Sequence, residues 1–452
     1  MTKAVLPSEF SEYTHKLLGD SLWERYLNAF DEIPPVSIRL NPYKSPAAIT
    51  QDDDGGNSPL RLIADDEPGC TPIPWCNNAY YLDKRPNFTL DPLLHAGAYY
   101  VQEASSMFLD EVLRQAMPTG GDTDGGMFLD LCAAPGGKSS LIRAAIPNDM
   151  MLFSNEPDKR RANILMENMQ KQGHPNVIVT NNYPRDYKKA GLMFDAILTD
   201  VPCSGEGMFR KDEATIGEWS PQNVMKCQEL QRSIVADIWD CLKTGGLLIY
   251  STCTFNLRED EENVRWIMEE LGADIVPIAT KEEWNICGSL LKGWDAPVYR
   301  FIPGTTKGEG LFMAVLRKSS PTPFSKGSNS IEKARKFLRI LSDGNPQPTI
   351  KGKSTIPAHA EAMLTTLPKD KYPTAELSLD DALHYLHHEA ITLPPDVPRG
   401  FVIVTYKSLP LGFVKNIGNR ANNLYPQEWR IRNMCPTPPL TVREGDWAKS
   451  EE

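Results

Sequence analysis

Three short stretches of this 452-residue chain carry side chains able to do chemistry. Asp200-Val201-Pro202-Cys203-Ser204-Gly205-Glu206-Gly207 follows an apolar run of strand length, 194–198. A buried strand that ends in an acid, a proline, a cysteine and glycines delivers reactive groups to the rim of a sheet, where open α/β folds bind ligands. Ser251-Thr252-Cys253-Thr254 closes a second apolar run at 246–251. Taken alone, Cys203 reads either as a nucleophile or as a cysteine in a tight turn.

The third stretch is a glycine loop, Cys132-Ala133-Ala134-Pro135-Gly136-Gly137-Lys138, within 129–140. Small residues let a ligand approach the backbone, and the amides of the following helix supply donors. The loop is neither G-x-G-x-x-G nor a full phosphate loop, because G-G-K-S lacks the earlier glycine. An ordinary strand–helix turn is the other reading. Roughly twenty residues on, Glu156 ends the next expected strand, where a carboxylate accepts both hydroxyl protons of a ribose. A solvated turn residue is its alternative. With the loop, Glu156 points to a nucleoside-containing cofactor.

The elements that would position these residues alternate. Strands are expected at 127–131, 151–154, 176–180, 194–199 and 246–251, with helices at 138–146, 158–172 and 222–242. That alternation predicts a parallel sheet covered on both faces. Cys132, Cys203 and Cys253 then fall at the carboxyl ends of the first, fourth and fifth strands, along one rim. Cys227 and Cys241 on the long helix are expected as small buried hydrophobes. Runs at 298–302 and 311–316 read as a terminal antiparallel pair. Before the sheet, aromatic and leucine spacings over 10–30 predict one or two amphipathic helices, then a short strand at 37–40 and a turn at 52–58. After it, 319–330 reads as a linker rich in Ser, Pro and Gly. Helices around 331–341 and 378–388 and strands at 400–406 and 411–414 follow.

Composition sets the limits. Hydrophobic content of 41% and charged content of 24% suit a soluble globular protein. No run of about 18 apolar residues offers a membrane span, and residues 1–7 lack the apolar core of a signal peptide, so a cytoplasmic protein without membrane partners is expected. The nine cysteines include no C-x-x-C pair, leaving a zinc site without support and free thiols as the expected state. A net charge of −11 does not advertise nucleic-acid binding, although a local basic face is what counts.

On its three stretches the chain resembles the Nop/Sun (Fmu-like) family of S-adenosylmethionine-dependent RNA cytosine-carbon-5 methyltransferases. Residues 129–140 match its cofactor loop, 200–211 its D-x-P-C-S-G-x-G segment and 251–255 its S-T-C-T segment. Residues 400–432 are similar to the tail domain of the RsmF-like ribosomal RNA branch. The resemblance implies an α/β fold, a Rossmann-like class I methyltransferase sheet with an N-terminal RNA-binding module and a C-terminal PUA-like α+β RNA-binding region. The implied boundaries are 1–105 for the N-terminal module, 106–318 for the catalytic domain, 319–330 for the linker, 331–392 for a connecting region and 393–452 for the tail.

The same resemblance implies the roles. The backbone from Cys132 to Lys138 holds the methionine end of S-adenosylmethionine, Glu156 its ribose and Asp200 the reacting region. Cys253 is the nucleophile, and Cys203 helps release the product. The reaction needs this, because carbon 5 of cytosine is a poor nucleophile. A thiolate adding to carbon 6 makes an enamine able to attack the methyl sulfonium, and a base must then remove the carbon 5 proton so that the thiol can leave. Asp200, protonated or sharing a proton with ring nitrogen 3, favours the addition. Lys138 could lower a thiol pKa or orient the base, or be a solvated helix start. Two positions depart from the family. Tyr183 stands where it has a third acidic cofactor contact, leaving Asn181, Asn182 or the tyrosine hydroxyl as replacements. Pro303-Gly304 stands before Gly308-Glu309-Gly310 where it has proline and histidine.

The implied partner is RNA. Six basic residues, Arg399, Lys407, Lys415, Arg420, Arg430 and Arg432, lie among Tyr406, Phe413, Tyr425 and Trp429 in the tail, a mixture suited to phosphates and unstacked bases. A small aromatic core is the plainer reading for Phe413 and Trp429. Arg210 and Lys211 are candidates for the backbone beside the target. Ribosomal small-subunit RNA is the expected substrate, because only the tail discriminates, with transfer RNA as alternative and a non-catalytic ribosome-assembly factor as the reading from another class. A monomer is expected.

Overall fold

The computed structural model describes residues 5–44, 69–117, 126–321, 331–352 and 354–432. The expected turn at 52–58, Cys435 and most of the linker at 319–330 lie outside the described residues. Two compact units divide the chain. The first comprises residues 1–85, 97–346 and 364–366, the second 86–96, 347–363 and 367–452. The N-terminal module and the catalytic domain thus share the first unit, while 86–96 belongs to the second.

The first unit begins with α1 (Ser8–Asn28), broken at Gly19, whose φ of +72° a side chain would resist. Strands β1 (Val36–Leu40), β2 (Cys70–Pro72), β3 (Ala79–Leu82) and β4 (Tyr99–Val101) form a sheet of order β2-β3-β1-β4. Between β3 and β4 the short α2 (Pro92–His95) belongs to the second unit. Then come α3 (Leu109–Ala116), β5 (Met127–Asp130), α4 (Gly137–Ala145), β6 (Met151–Asn155), α5 (Lys159–Gln172), β7 (Val177–Thr180), α6 (Pro184–Ala190) and β8 (Phe194–Asp200). After these follow α7 (Glu213–Glu218), α8 (Pro221–Trp239), β9 (Leu242–Thr252), α9 (Glu261–Trp266), β10 (Ala273–Ile275), β11 (Tyr299–Phe301), β12 (Leu311–Lys318), α10 (Ile331–Phe337) and β13 (Ile340–Ser342).

The main sheet has the order β10-β12-β9-β8-β5-β6-β7-β13, with β11 paired to β12. β5 to β9 are parallel, as the alternation predicts, and β12 runs antiparallel against β9. From β5 the chain moves outward to β6 and β7, then returns to lay β8 and β9 on the other side. The switch point therefore lies between β5 and β8, and ligands bind in the crevice at such a point.

Period-two alternation gives the sheet two apolar faces. Phe128, Leu247, Ile249, Met313 and Val315 face one core, with Val112, Leu141, Leu165 and Met169 from α3 to α5. Leu129, Leu248, Tyr250, Phe312 and Ala314 face the other, with Tyr187, Val235, Ile238 and Val264 from α6, α8 and α9. α1 packs Phe10, Leu18 and Tyr26 onto Phe209, Trp219, Phe255 and Ile302, away from both.

Two expected boundaries need correcting. The helix expected to run to 341 stops at Phe337, and 340–342 instead adds a strand to the free edge of β7. The fifth strand begins at Leu242, four residues early, because pairing with β8 extends to Phe194↔Leu242 and overrides the glycines at 245 and 246. α6, α7 and α9, of six or seven residues each, were too short to carry a periodic signal.

β11 brings one ion cluster into the first unit. Arg300 is fully buried, with Nη2 3.0 Å from Asp260 Oδ2 and Nη1 2.7 Å from Glu261 Oε1, both carboxylates equally buried. Removing one member of such a group strands a charge away from water. Arg300→Leu is expected to cost about 3–5 kcal/mol, read as a lowered urea midpoint by tryptophan fluorescence.

The second unit is α+β. β14 (Thr349–Lys351) and β15 (Ser354–Ile356) form a hairpin, and α11 (His359–Met363) and α12 (Leu379–Leu386) flank a sheet of order β16-β17-β18-β19. Its strands are β16 (Thr374–Glu376), β17 (Gly400–Tyr406), β18 (Leu409–Asn416) and β19 (Ala421–Asn423). Tyr385, Leu386, Val402, Val404, Leu411, Val414 and Tyr425 form its core.

Candidate active site

Every reactive residue expected on the rim lies at the carboxyl end of β5, β8 or β9. The glycine loop leaves β5 between two tethers. Ala133 N–H donates to Asn155 O at 2.8 Å, and Arg161 Nη2 to Ala134 O at 3.0 Å. Gly136 turns the chain at a φ of +118°, where an added Cβ would also crowd Leu165 Cδ1 at 3.3 Å. From the N-terminal sheet, Arg39 Nη2 donates to Ser140 Oγ at 2.6 Å and reaches Gly137 O at 3.3 Å.

Asn155, fully buried at the end of β6, ties three strand ends together. Its Nδ2 donates to Leu131 O and Asn182 O, while its Oδ1 accepts from Thr180 Oγ1 and Asn182 N–H, all at 3.0 Å. Beside it Glu156 is buried, its Oε1 taken by Asp158 N–H. Its Oε2 accepts no hydrogen bond and lies 3.3 Å from Arg161 Nη1. Asp130 is similar: Oδ2 accepts from Ser139 Oγ at 2.7 Å, and Oδ1 is buried without a donor. Burial pushes the Asp130 carboxyl up to about 7, with the Ser139 hydroxyl opposing. Neither oxygen accepts a hydrogen bond, although the first has its ion pair, and S-adenosylmethionine carries donors for both, ribose hydroxyls and an ammonium group, so the residues present fit that cofactor.

Lys138, the second residue of α4, points to the end of β8, where Nζ lies 2.8 Å from Asp200 Oδ2. Ser251 Oγ donates to the other oxygen, Oδ1, at 2.6 Å. Burial pulls the Lys138 pKa down, but the Asp200 carboxylate and its hydrogen bond outweigh burial, and the net shift is upward. Lys138 is therefore a charged partner of Asp200 rather than a solvated helix start.

Cys203 and Cys253 meet, with sulfur atoms 3.0 Å apart. Cys253 N–H also donates to Cys203 Sγ at 3.3 Å, and between the two sulfurs either thiol can be the donor. The hydrogen bond with Cys253 and burial push the Cys203 pKa well above the usual thiol range. Cys132 does not join them. Its side chain packs against the sheet core that holds Leu129 and Leu131, and burial raises its thiol as well, with the Asp130 and Asp200 charges adding to the rise.

Other expected residues fall elsewhere. Asn182 spends its amide on Arg339, Oδ1 accepting from the backbone N–H and Nδ2 donating to the carbonyl. Asn181 Nδ2 donates to Glu156 O and Pro157 O. Tyr183 is 58% exposed, its ring facing Arg185. Arg210 is not free for an RNA backbone, because it is buried with Nη1 3.1 Å from Glu309 Oε1. Gly310 runs against the Cys203 loop so closely that an added Cβ would lie 2.5 Å from Gly207 Cα. In the tail, Tyr425 and Phe413 are core residues and Tyr406 and Trp429 pack partly against it, whereas all six basic side chains are exposed. Glu206, Asn256, Glu259 and Asp260 were missed. Glu-Asp-Glu-Glu at 259–262 reads as a solvated charge run, yet its first three members are buried.

Counted in chain order, the seven principal strands lie 3-2-1-4-5-7-6 with the last reversed, and the site occupies the switch point. That order and place define a Rossmann-like class I methyltransferase core. Three family models match the chain: "16S rRNA methyltransferase RsmB/F" over 119–317, "N-terminal domain of 16S rRNA methyltransferase RsmF" over 6–104 and "Methyltransferase RsmF PUA domain" over 372–431. The ribosomal RNA small subunit methyltransferase F of Salmonella heidelberg is 30% identical over 93% of this chain and 96% of its own length. That of Escherichia coli O157:H7 is 28% identical over 87% and 89%. The chain belongs to the RsmB/F methyltransferase family, with an RsmF-type N-terminal domain and a PUA-like tail. A solved structure of NSun6 from Pyrococcus horikoshii, 19% identical over 71% of this chain and 100% of its own, superimposes with a TM-score of 0.57 and shares the fold.

Proposed function

We propose that this protein methylates carbon 5 of a cytosine in small-subunit ribosomal RNA through a covalent adduct with Cys253. The observation that carries the reading is the thiol pair, two sulfurs 3.0 Å apart on adjacent strand ends with Asp200 and Lys138 beside them. S-adenosylmethionine, when bound by Glu156 and the loop from Cys132 to Lys138, supplies the methyl group. Cys253 adds through sulfur to carbon 6, and the Cys203 thiol, held protonated, stabilises the Cys253 thiolate by donating to it. Asp200, fixed at both oxygens by Lys138 and Ser251, presents a rigid carboxyl edge to the base. Once carbon 5 is methylated, its proton is removed, the electron pair re-forms the ring double bond and Cys253 leaves as thiolate. Cys203 is the group placed to assist that departure.

The named relatives and the RsmF-type tail favour ribosomal RNA over transfer RNA, and the exposed basic residues of the tail suit an RNA partner of either kind. The test is labelled-methyl transfer to both RNAs from a strain lacking the protein, followed by bisulfite mapping. One defined small-subunit cytosine is the expected product. Label in transfer RNA alone would overturn the substrate, and label in no RNA would overturn the activity.

A further inference from the structure

Around the thiol pair lie two buried carboxylates that the reaction does not consume. Glu206 sits on the loop of Cys203, but its Oε2 accepts from Phe255 N–H at 2.8 Å and Asn256 N–H at 3.1 Å, the amides just past Cys253. Its Oε1 accepts from Trp219 Nε1 at 2.9 Å. Glu259 sits on the loop of Cys253, but its Oε2 accepts from Ser204 N–H at 3.0 Å, the amide next to Cys203. The same oxygen accepts from Gln231 Nε2 at 2.7 Å. Asn256 stands between them, its Nδ2 facing Glu206 Oε1 at 3.1 Å and Glu259 Oε1 at 2.8 Å. Each cysteine loop is thus gripped by a carboxylate from the other.

Packing does not explain this arrangement. Burial pushes Glu259 up to about 7, with the Glu206 charge adding to the rise and the Ser204 bond opposing it. Apolar residues would fill the same volume without that desolvation cost, so two buried acids are poor devices for stability alone. Charge-assisted bonds from carboxylate to backbone amide are short and directional, and they fix one loop against another. The aromatic contacts of α1 reach the same loops from outside, with Phe10 against Phe209 at 5.0 Å and Tyr26 against Phe255 at 5.6 Å.

We infer that Glu206 and Glu259, bridged by Asn256, form a reciprocal clasp that sets the separation and register of the Cys203 and Cys253 thiols. They are positioning residues, and the inference rests on the reading that both thiols act in one reaction. Misplacing reacting groups by about 1 Å costs on the order of 100-fold in rate.

The test reads the geometry apart from the activity. Diamide, added to the full chain without RNA, oxidises the facing thiols. Each sulfur gives up one hydrogen, the S–S bond forms, and the reagent's N=N bond is reduced to a hydrazine. The rate of the 2 Da loss at the peptides carrying Cys203 and Cys253 reports their approach. Glu206→Gln, Glu259→Gln and Asn256→Ser are expected to slow it at least about ten-fold, and to lower kcat about 30- to 100-fold with S-adenosylmethionine affinity and RNA KM within about two-fold. Variants that keep cofactor affinity and close the bridge at the wild-type rate overturn the clasp. Loss of cofactor affinity in all three overturns it too, since the residues would then support the whole domain. A wild-type chain that methylates no RNA still answers, because bridge closure needs no substrate.

Discussion

Cys253→Ser is expected to lower methyl transfer by about 10,000-fold and to form no covalent complex with RNA, a loss of the size seen when a nucleophile is removed. The serine hydroxyl is isosteric enough to sit beside Cys203, so the fold and the cofactor site should survive. Its oxygen ionises far less readily than sulfur, and the reaction then lacks its attacking anion. Cys203→Ser is expected to behave oppositely. Attack at carbon 6 remains available, but the departing Cys253 loses its 3.0 Å sulfur neighbour. Turnover should stall after methylation, and a protein–RNA adduct should accumulate on denaturing gels. Normal turnover of Cys203→Ser would exclude the two-cysteine scheme, and an adduct in Cys253→Ser would move the nucleophile to Cys203.

The second large effect is expected at Asp200. Each of its oxygens is held by one donor, Lys138 Nζ at 2.8 Å and Ser251 Oγ at 2.6 Å. Asparagine keeps the shape but carries no charge for the lysine, and its N–H group either confronts the ammonium or faces a serine hydroxyl that must turn round to accept it. The side chain proposed to present an edge to the base would then lose its orientation and its charge. Asp200→Asn is expected to cut kcat by about 100- to 1,000-fold, in the range for removal of one preorganised electrostatic contact. Lys138→Met should reproduce part of the loss, and the double variant should fall short of the product of the two, because the residues act as one unit. Single-turnover transfer at saturating cofactor distinguishes this from weaker binding. Unchanged kcat in Asp200→Asn would remove the residue from the chemistry.

The main features of this site were legible in the chain because they are local. A short apolar run followed at once by Asp200 and Cys203, or by Cys253, announces a strand end carrying chemistry, and small residues before Lys138 announce a backbone-lined loop. Alternating strands and helices then place all of them on one rim. What stayed hidden depends on distance in sequence. Arg210 next to the catalytic loop looked like a phosphate contact until Glu309, about a hundred residues on, proved to be its buried partner. Tyr425 looked like a stacking platform until its burial behind α12 and β19 showed it to be core.

The class of fold, the glycine loop with Glu156, and the residues that reach the rim are readable along the chain, since period, turn chemistry and strand length are properties of contiguous residues. It takes the packed fold to bring Cys203 to Cys253 without Cys132, to pair Lys138 with Asp200, and to cross Glu206 and Glu259 between the loops. Those facts turn on which polar atoms satisfy one another across about fifty to sixty residues of chain, a matter settled by how β5, β8 and β9 lie side by side.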